Sequence, residues 1–225
     1  MKPAPEPSAT FRREGRLWLR GALSGRCLAA LDLLGAVTGK PGQRVQASAG
    51  LNAALGPDSP LTRTLSDLFG TATTTRVVSF DKSADANWGV GWHRDRIIAV
   101  RDRADMPGFD NWSCKAGQWH CRPPQSVLDT MLFCRLFLDP VSSETGGMEY
   151  VPCSHLGNDT APTETEDAIR GDVLVLHMNT LHRSRPALSP ASRRVLRVDF
   201  ATAALPAPLA WATPAAVRPE TGEGT

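Results

Sequence analysis

Apolar and polar positions change their period along this chain. After Ser24, a side chain suited to capping a helix, Leu28, Leu31 and Leu34 recur at helical spacing. A second helix is predicted at "SPLTRTLSDLFG": Ser59 suits the cap, Pro60 the first turn and Gly70 the stop. Between the Pro- and Ala-rich first ten residues, expected to be disordered, and the first helix, "FRREGRLWLRG" reads as a short strand and turn.

From residue 71 the period shortens. "TTTRVVSF" is β-branched and apolar, and "NWGVGWHRDRIIAV" follows it. Residues 101–127 read as a long irregular segment whose aromatics and cysteines suggest an ordered lid or wall. "LDTMLFCRLFLDP" is a strong strand ended by Pro140, and "MEYVPCSH" a short one after the turn "SSETGG". "GDVLVLHMNTLHRS" reads as one strand and "RRVLRVDFATA" as the last. The expected fold is mainly β with flanking helices: a jelly roll enclosing a site between two sheets, with helices over one outer face. One domain spans 11–205, between a disordered 1–10 and a loose tail at 206–225.

Composition narrows the function. The 225 residues are 41% hydrophobic and 21% charged with a formal net charge of +2, which speaks against a dedicated nucleic-acid binder. No apolar run reaches the ~18 residues of a membrane span, and "MKPAPEPSATFRREG" lacks the apolar core of a signal peptide, so a cytoplasmic protein without a membrane partner is expected. Five cysteines without regular spacing fit free thiols. Cys114, His120 and Cys121 lie close in sequence but lack the knuckle spacing of a zinc site.

The chemistry starts at "VGWHRDRIIAV". On a strand, His93 and Asp95 share one face and Arg94 the other. Such a pair is either a structural hydrogen bond or two metal ligands. His182 lies downstream in "LHRS", with Ser184 at the same parity, and the turn at 186–190 returns the chain so that Arg193 can lie on a neighbouring strand. His93, Asp95 and His182 have the composition of a two-histidine, one-carboxylate triad, which leaves positions open on Fe(II) for a co-substrate and O2. Arg193 offers a planar fork for a carboxylate, and Ser184 a further donor. A dicarboxylate keto acid held there could reach the iron with its other end. Parity puts Val195 with Arg193, and Leu196 and Val198 with the rival Arg194.

At these residues the sequence resembles the phytanoyl-CoA dioxygenase-like Fe(II)/2-oxoglutarate oxygenases. The pieces are "FRREGRLWLRGALS", "WHRD", "LFLDPVSSETGGMEYVPCSH", "GDVLVLHMNTLHRS" and "RRVLRVDF", spanning roughly 11–200. The resemblance implies the double-stranded β-helix, or cupin-like, form of the jelly roll. It implies His93, Asp95 and His182 as catalytic iron ligands, and Arg193 with Ser184 as anchors of 2-oxoglutarate. It also implies hydroxylation of an unactivated C–H bond in a small molecule, anionic or carrier-linked, with release of succinate and CO2. Two departures stand out: Arg94 where the family often has Gln, and Cys153 at a turn position usually held by Gly. Asp95 keeps the carboxylate that halogenase variants lack.

Trp92, Arg94, Trp112, Arg122 and Arg135 are the expected substrate-facing residues, with Lys115 and Trp119 on the same presumed wall as Trp112 and Arg122. Arg135, mid-strand in an apolar run, needs a partner, either Asp139 or an anion in the site. His155 and His177 read as structural, and Trp88 and Trp92 are more often packing residues than site walls. Two other functions stay open: a cupin-like metal-binding protein without turnover, and a metal-dependent hydrolase. The second leaves Arg193 without a task.

Overall fold

A computed structural model of the chain describes residues 6–33, 42–45, 48–115 and 117–212. Its frame is eight strands divided equally between two antiparallel sheets. In chain order these are β3 (Thr73–Ser79), β4 (Val90–His93), β8 (Met131–Phe137), β9 (Met148–Tyr150), β10 (Glu164–Thr165), β11 (Val173–His177), β12 (His182–Ser184) and β13 (Val195–Ala201). The larger sheet runs β11-β8-β13-β3, extended at its edges by β1 (Arg16–Leu19) beside β11 and β2 (Gln43–Arg44) beside β3. The smaller sheet runs β10-β9-β12-β4. This is the double-stranded β-helix.

Alternation along the larger sheet explains its two hydrophobic faces. Leu132, Cys134 and Leu136 of β8, with Leu196, Val198 and Phe200 of β13, face the helices. Met131, Phe133 and Phe137, with Leu174 and Leu176, face the smaller sheet. Both sides of β8 are therefore buried throughout. The helices are α1 (Pro7–Glu14), α2 (Gly25–Asp32), α3 (Ala49–Leu55) and α4 (Pro60–Phe69), with a short α5 (Gln125–Leu128) farther on. Ser24 caps α2 by accepting from Cys27 N, and Ser59 caps α4 by accepting from Thr62 N. Leu34 lies outside the described residues.

Four expectations change. Residues 7–10 are helical rather than disordered: Pro7 opens α1, Gly15 closes it at φ 70°, and Phe11 packs edge-on against Phe69. The stretch 171–184 is two strands in different sheets, because a turn tied by Thr180 N to His177 O carries the chain from β11 to β12. The segment read as irregular carries a third sheet, β5-β7-β6 (Ile98–Val100, Gln118–Arg122 and Asp110–Lys115), with a bulge between Asp110 and Ser113. Residues 206–212 are packed: Leu209 and Ala212 are buried, and Trp211 bridges to Val100.

Cys153 adopts φ 63° just before a 3-10 turn at Ser154–Leu156. A left-handed backbone costs a non-glycine residue about 1–2 kcal/mol, of which glycine's greater unfolded freedom returns part. Cys153→Gly should therefore stabilise the fold by about 0.5–1 kcal/mol. A lower urea midpoint in the variant would contradict this.

Candidate active site

Antiparallel pairing sets the metal-type donors. His182, first residue of β12, lies opposite His93, last residue of β4. Asp95 follows just beyond the strand end. The three offer donor atoms within 4.8 Å of one another, and they are the only such trio among the described residues. The histidines are oriented alike. His93 Nδ1 bonds Gly91 O and His182 Nδ1 bonds Thr180 O, each at 2.8 Å. A ring whose Nδ1 donates to a carbonyl presents its Nε2 lone pair, the form a metal takes. His182 Nε2 stands 3.2 Å from Asp95 Oδ2.

Asp95 is held from behind. Arg197 Nη1 donates to its Oδ2 at 2.6 Å, and Arg197 is itself gripped by Asp199, with Nε to Oδ1 at 2.8 Å. Burial alone would raise the Asp95 pKa. The charge of Arg197 and its hydrogen bond oppose this, and the carboxyl is held well below its usual range. Two imidazole nitrogens and a fixed carboxylate suit Fe(II), so the donor set fits this ion.

These groups line a cavity of about 160 Å³ between the sheets. Its other walls include Phe80, Phe133, Met148, Lys82, Arg135, Ser184 and Arg193. Arg193 is 2% exposed, and its donors reach only backbone carbonyls: Phe80 O at 2.7 Å, Gly146 O at 2.8 Å and Thr145 O at 3.2 Å. Burial and the nearby Arg135 push even this guanidinium down to about 10. Lys82, 1% exposed, donates to Ser184 Oγ at 2.9 Å, to Gly146 O and to Arg185 O. Gly146 has φ 71°, and a Cβ there would meet Lys82 Nζ at 2.8 Å, so only glycine lets its carbonyl serve both cations. Among the described residues no carboxylate bonds to either one. The cavity thus holds two buried cations that an anion would complete.

Burial, then the charges of Arg193 and Arg135, push the Lys82 ammonium down to about 7. Its pKa in the unfolded chain is 10.5, so between about pH 7 and 10.5 the unfolded chain binds the extra proton. The ligand-free protein should gain stability as pH rises through that window. Lys82→Met should remove this part of the slope; urea midpoints at two pH values within the window would show it, and an unchanged slope would contradict the assignment.

The sequence-based candidates divide. His93, Asp95, His182, Ser184, Arg193 and Arg135 line the cavity. Arg135 is paired with Glu166, at 2.7 and 3.0 Å, and not with Asp139. Asp139 instead takes Arg194, which points away from the cavity and also reaches Asp32. Four expected substrate contacts are not lining residues. Arg94 turns to Asn179 O, Ser154 O and Asp159. Arg122 forks onto Asp110 at the surface, Trp112 packs against Trp119, and Trp92 lies under the guanidinium of Arg183. Cys114, His120 and Cys121 do not converge, since Cys114 is exposed and Cys121 faces the core. His177 accepts from Asn179 N and stays outside the cavity.

Sequence reasoning missed Lys82, Arg197 and Asp199. Arg197 and Asp199 continue the parity of Arg193 and Val195, a signal that was present. Lys82 pairs with Arg193 in a bridge that continues the β3–β13 register, so it shares the parity of Val78 and Phe80.

A double-stranded β-helix with two histidines and a carboxylate at one end of a cavity, and a buried arginine among its walls, defines the class of non-haem iron, 2-oxoglutarate-dependent enzymes. The family model described as phytanoyl-CoA dioxygenase (PhyH) matches residues 48–195, and the chain belongs to that family. Solved structures share the fold. The non-haem α-ketoglutarate-dependent epimerase SnoN of nogalamycin biosynthesis has a TM-score of 0.63 at 19% identity, covering 97% of this chain and 88% of its own. For the carbocyclase SnoK of the same biosynthesis the figures are 0.60, 17%, 95% and 88%. For HygX from Streptomyces hygroscopicus, solved with nickel, 2-oxoglutarate and hygromycin B, they are 0.57, 17%, 88% and 87%. By sequence, no curated protein matches the chain. No described helix is long and apolar enough to cross a membrane.

Proposed function

We propose that this chain is an Fe(II)/2-oxoglutarate-dependent dioxygenase that hydroxylates a small molecule. The observation that carries the reading is the cavity: three metal-type donors line it together with Arg193 and Lys82, neither of which bonds a carboxylate among the described residues. His93, Asp95 and His182 would hold Fe(II), while Arg193, Lys82 and Ser184 would bind the distal carboxylate of 2-oxoglutarate. With O2, the bound iron and co-substrate supply an oxidant for an unactivated C–H bond as 2-oxoglutarate becomes succinate and CO2. The protein's part is placement. Arg197 keeps Asp95 ionised and aimed, and Phe133, 5.2 Å from the His182 ring, keeps the inner side dry. All five cysteines are free, which supports a reducing compartment such as the cytoplasm.

A hydrolase leaves the buried cations unexplained, and a turnover-free metal protein leaves them without a ligand. The epimerase and carbocyclase among the similar structures keep a second outcome in view at the same kind of centre. Succinate formation from 2-oxoglutarate, dependent on Fe(II) and O2, tests the shared step, since uncoupled turnover does not require the true substrate. Its absence under all conditions would remove the reading. Product mass separates the outcomes: hydroxylation adds one oxygen atom, epimerisation adds nothing and ring closure removes two hydrogens.

A further inference from the structure

A second cavity, of about 530 Å³, lies across Arg197 and Phe80 from the first, because those two side chains line both. Its charged lining comes from four strands outside the metal trio: Arg44 of β2, Arg76 of β3, Lys115 of β6 and Arg197 of β13. No acidic side chain lines it among the described residues. Arg197 is balanced by Asp95 and Asp199, and Asp199 also takes Arg76 at 2.7 Å. Arg44 and Lys115 bond to no carboxylate among the described residues. Like charges gathered this way repel, and each buried one has lost hydration.

His120 of β7 completes the wall. It is 3% exposed, with Arg44 bonded at Nε2 and no partner at Nδ1. Burial, then Arg44, Arg76 and Lys115, push its pKa down to about 4, so the ring is neutral at physiological pH. Burial and Arg76 likewise lower the Arg44 pKa. Asn111 and Ser113, on the bulged part of β6, add polar groups, and Asn111 holds φ 51°. Strained, cation-rich, partly desolvated walls of this kind mark ligand sites more than packing.

We propose that this second cavity binds an anionic group of the substrate, a sulfuryl, phosphoryl or carboxyl oxyanion, and so positions the substrate beside the metal centre. The substrate role rests on the oxygenase reading; the anion site does not. Arg197 joins the two functions, since the guanidinium that steadies Asp95 also faces the second cavity.

Sulfate is the probe. Titrated calorimetrically into the metal-loaded protein saturated with 2-oxoglutarate, at constant ionic strength against chloride, it should bind saturably. Lys115→Ala, at an exposed strand position, and Arg44→Gln should each raise its Kd about tenfold or more, the loss expected of a charge-assisted contact, while 2-oxoglutarate affinity stays unchanged. Absence of saturable binding, or wild-type affinity in both variants, would overturn the proposal. Loss of sulfate binding in Arg193→Ala alone would overturn it too, by placing the anion in the first cavity. Succinate formation is measured on the same samples. Sulfate binding without succinate would leave the anion site standing and remove the oxygenase reading; succinate without sulfate binding would do the reverse.

Discussion

His182→Ala should weaken Fe(II) binding by at least about a hundredfold. Loss of a partner behind a ligand already costs about ten- to a hundredfold in affinity, and removing a ligand itself costs more. His182 is buried, with its Nδ1 tied to Thr180 O and its Nε2 beside Asp95, so no other side chain can take its place. Truncation leaves a void beside Phe133, so circular dichroism should first show that the variant is folded. Anaerobic titration then decides, and equal affinity in wild type and variant would remove His182 from the donor set. His182→Gln, which fills the space with a weaker donor, should fall between the two.

Arg193→Ala should raise the apparent KM for 2-oxoglutarate about thirty- to several-thousandfold while Fe(II) affinity changes little. This is the ~2–5 kcal/mol expected when a buried, charged contact to a carboxylate is lost. Phe80 O and Thr145 O would lose their Arg193 donor while Gly146 O keeps Lys82, so lower stability is also expected. Arg193→Lys should rescue only part of the affinity, because an ammonium cannot reproduce the planar fork. Arg194→Ala supplies the contrast: its guanidinium is spent on Asp139 and Asp32, so KM should stay near wild type while stability falls slightly. If the large KM effect appeared in Arg194→Ala instead, the co-substrate would lie on the other face of the larger sheet.

The larger sheet was legible because its strands alternate cleanly. Leu132, Cys134 and Leu136 against Met131, Phe133 and Phe137 give β8 a period of two with both faces apolar. The same rule places Arg193 inward and Arg194 outward. His93 and Asp95 do converge, but not through strand alternation, for β4 ends at His93 and Asp95 turns in beyond it. The split between β11 and β12 was hidden because "MNT" carries no glycine or proline to punctuate the turn. The β6–β7 hairpin was hidden by its bulge, which breaks the alternation of "DNWSCK". Its expected substrate-facing residues do not line the first cavity. Arg122 bonds Asp110 and Trp112 packs on Trp119 within the hairpin, whereas Lys115 and His120 of the same hairpin line the second cavity. Lys82 shares the parity of Phe80, but its partners come from distant segments around Gly146, Ser184 and Arg185, and the sequence does not announce them.

The central claim is that one cavity holds Fe(II) and 2-oxoglutarate together. Chelation of Fe(II) by a keto acid produces a visible absorption band that neither component has alone. Under anaerobic conditions the wild-type protein should develop this band on addition of Fe(II) and 2-oxoglutarate. His182→Ala should fail to develop it, and Arg193→Ala should need far more 2-oxoglutarate to reach it. A wild-type protein that binds Fe(II) yet shows no band at any 2-oxoglutarate concentration would contradict the account.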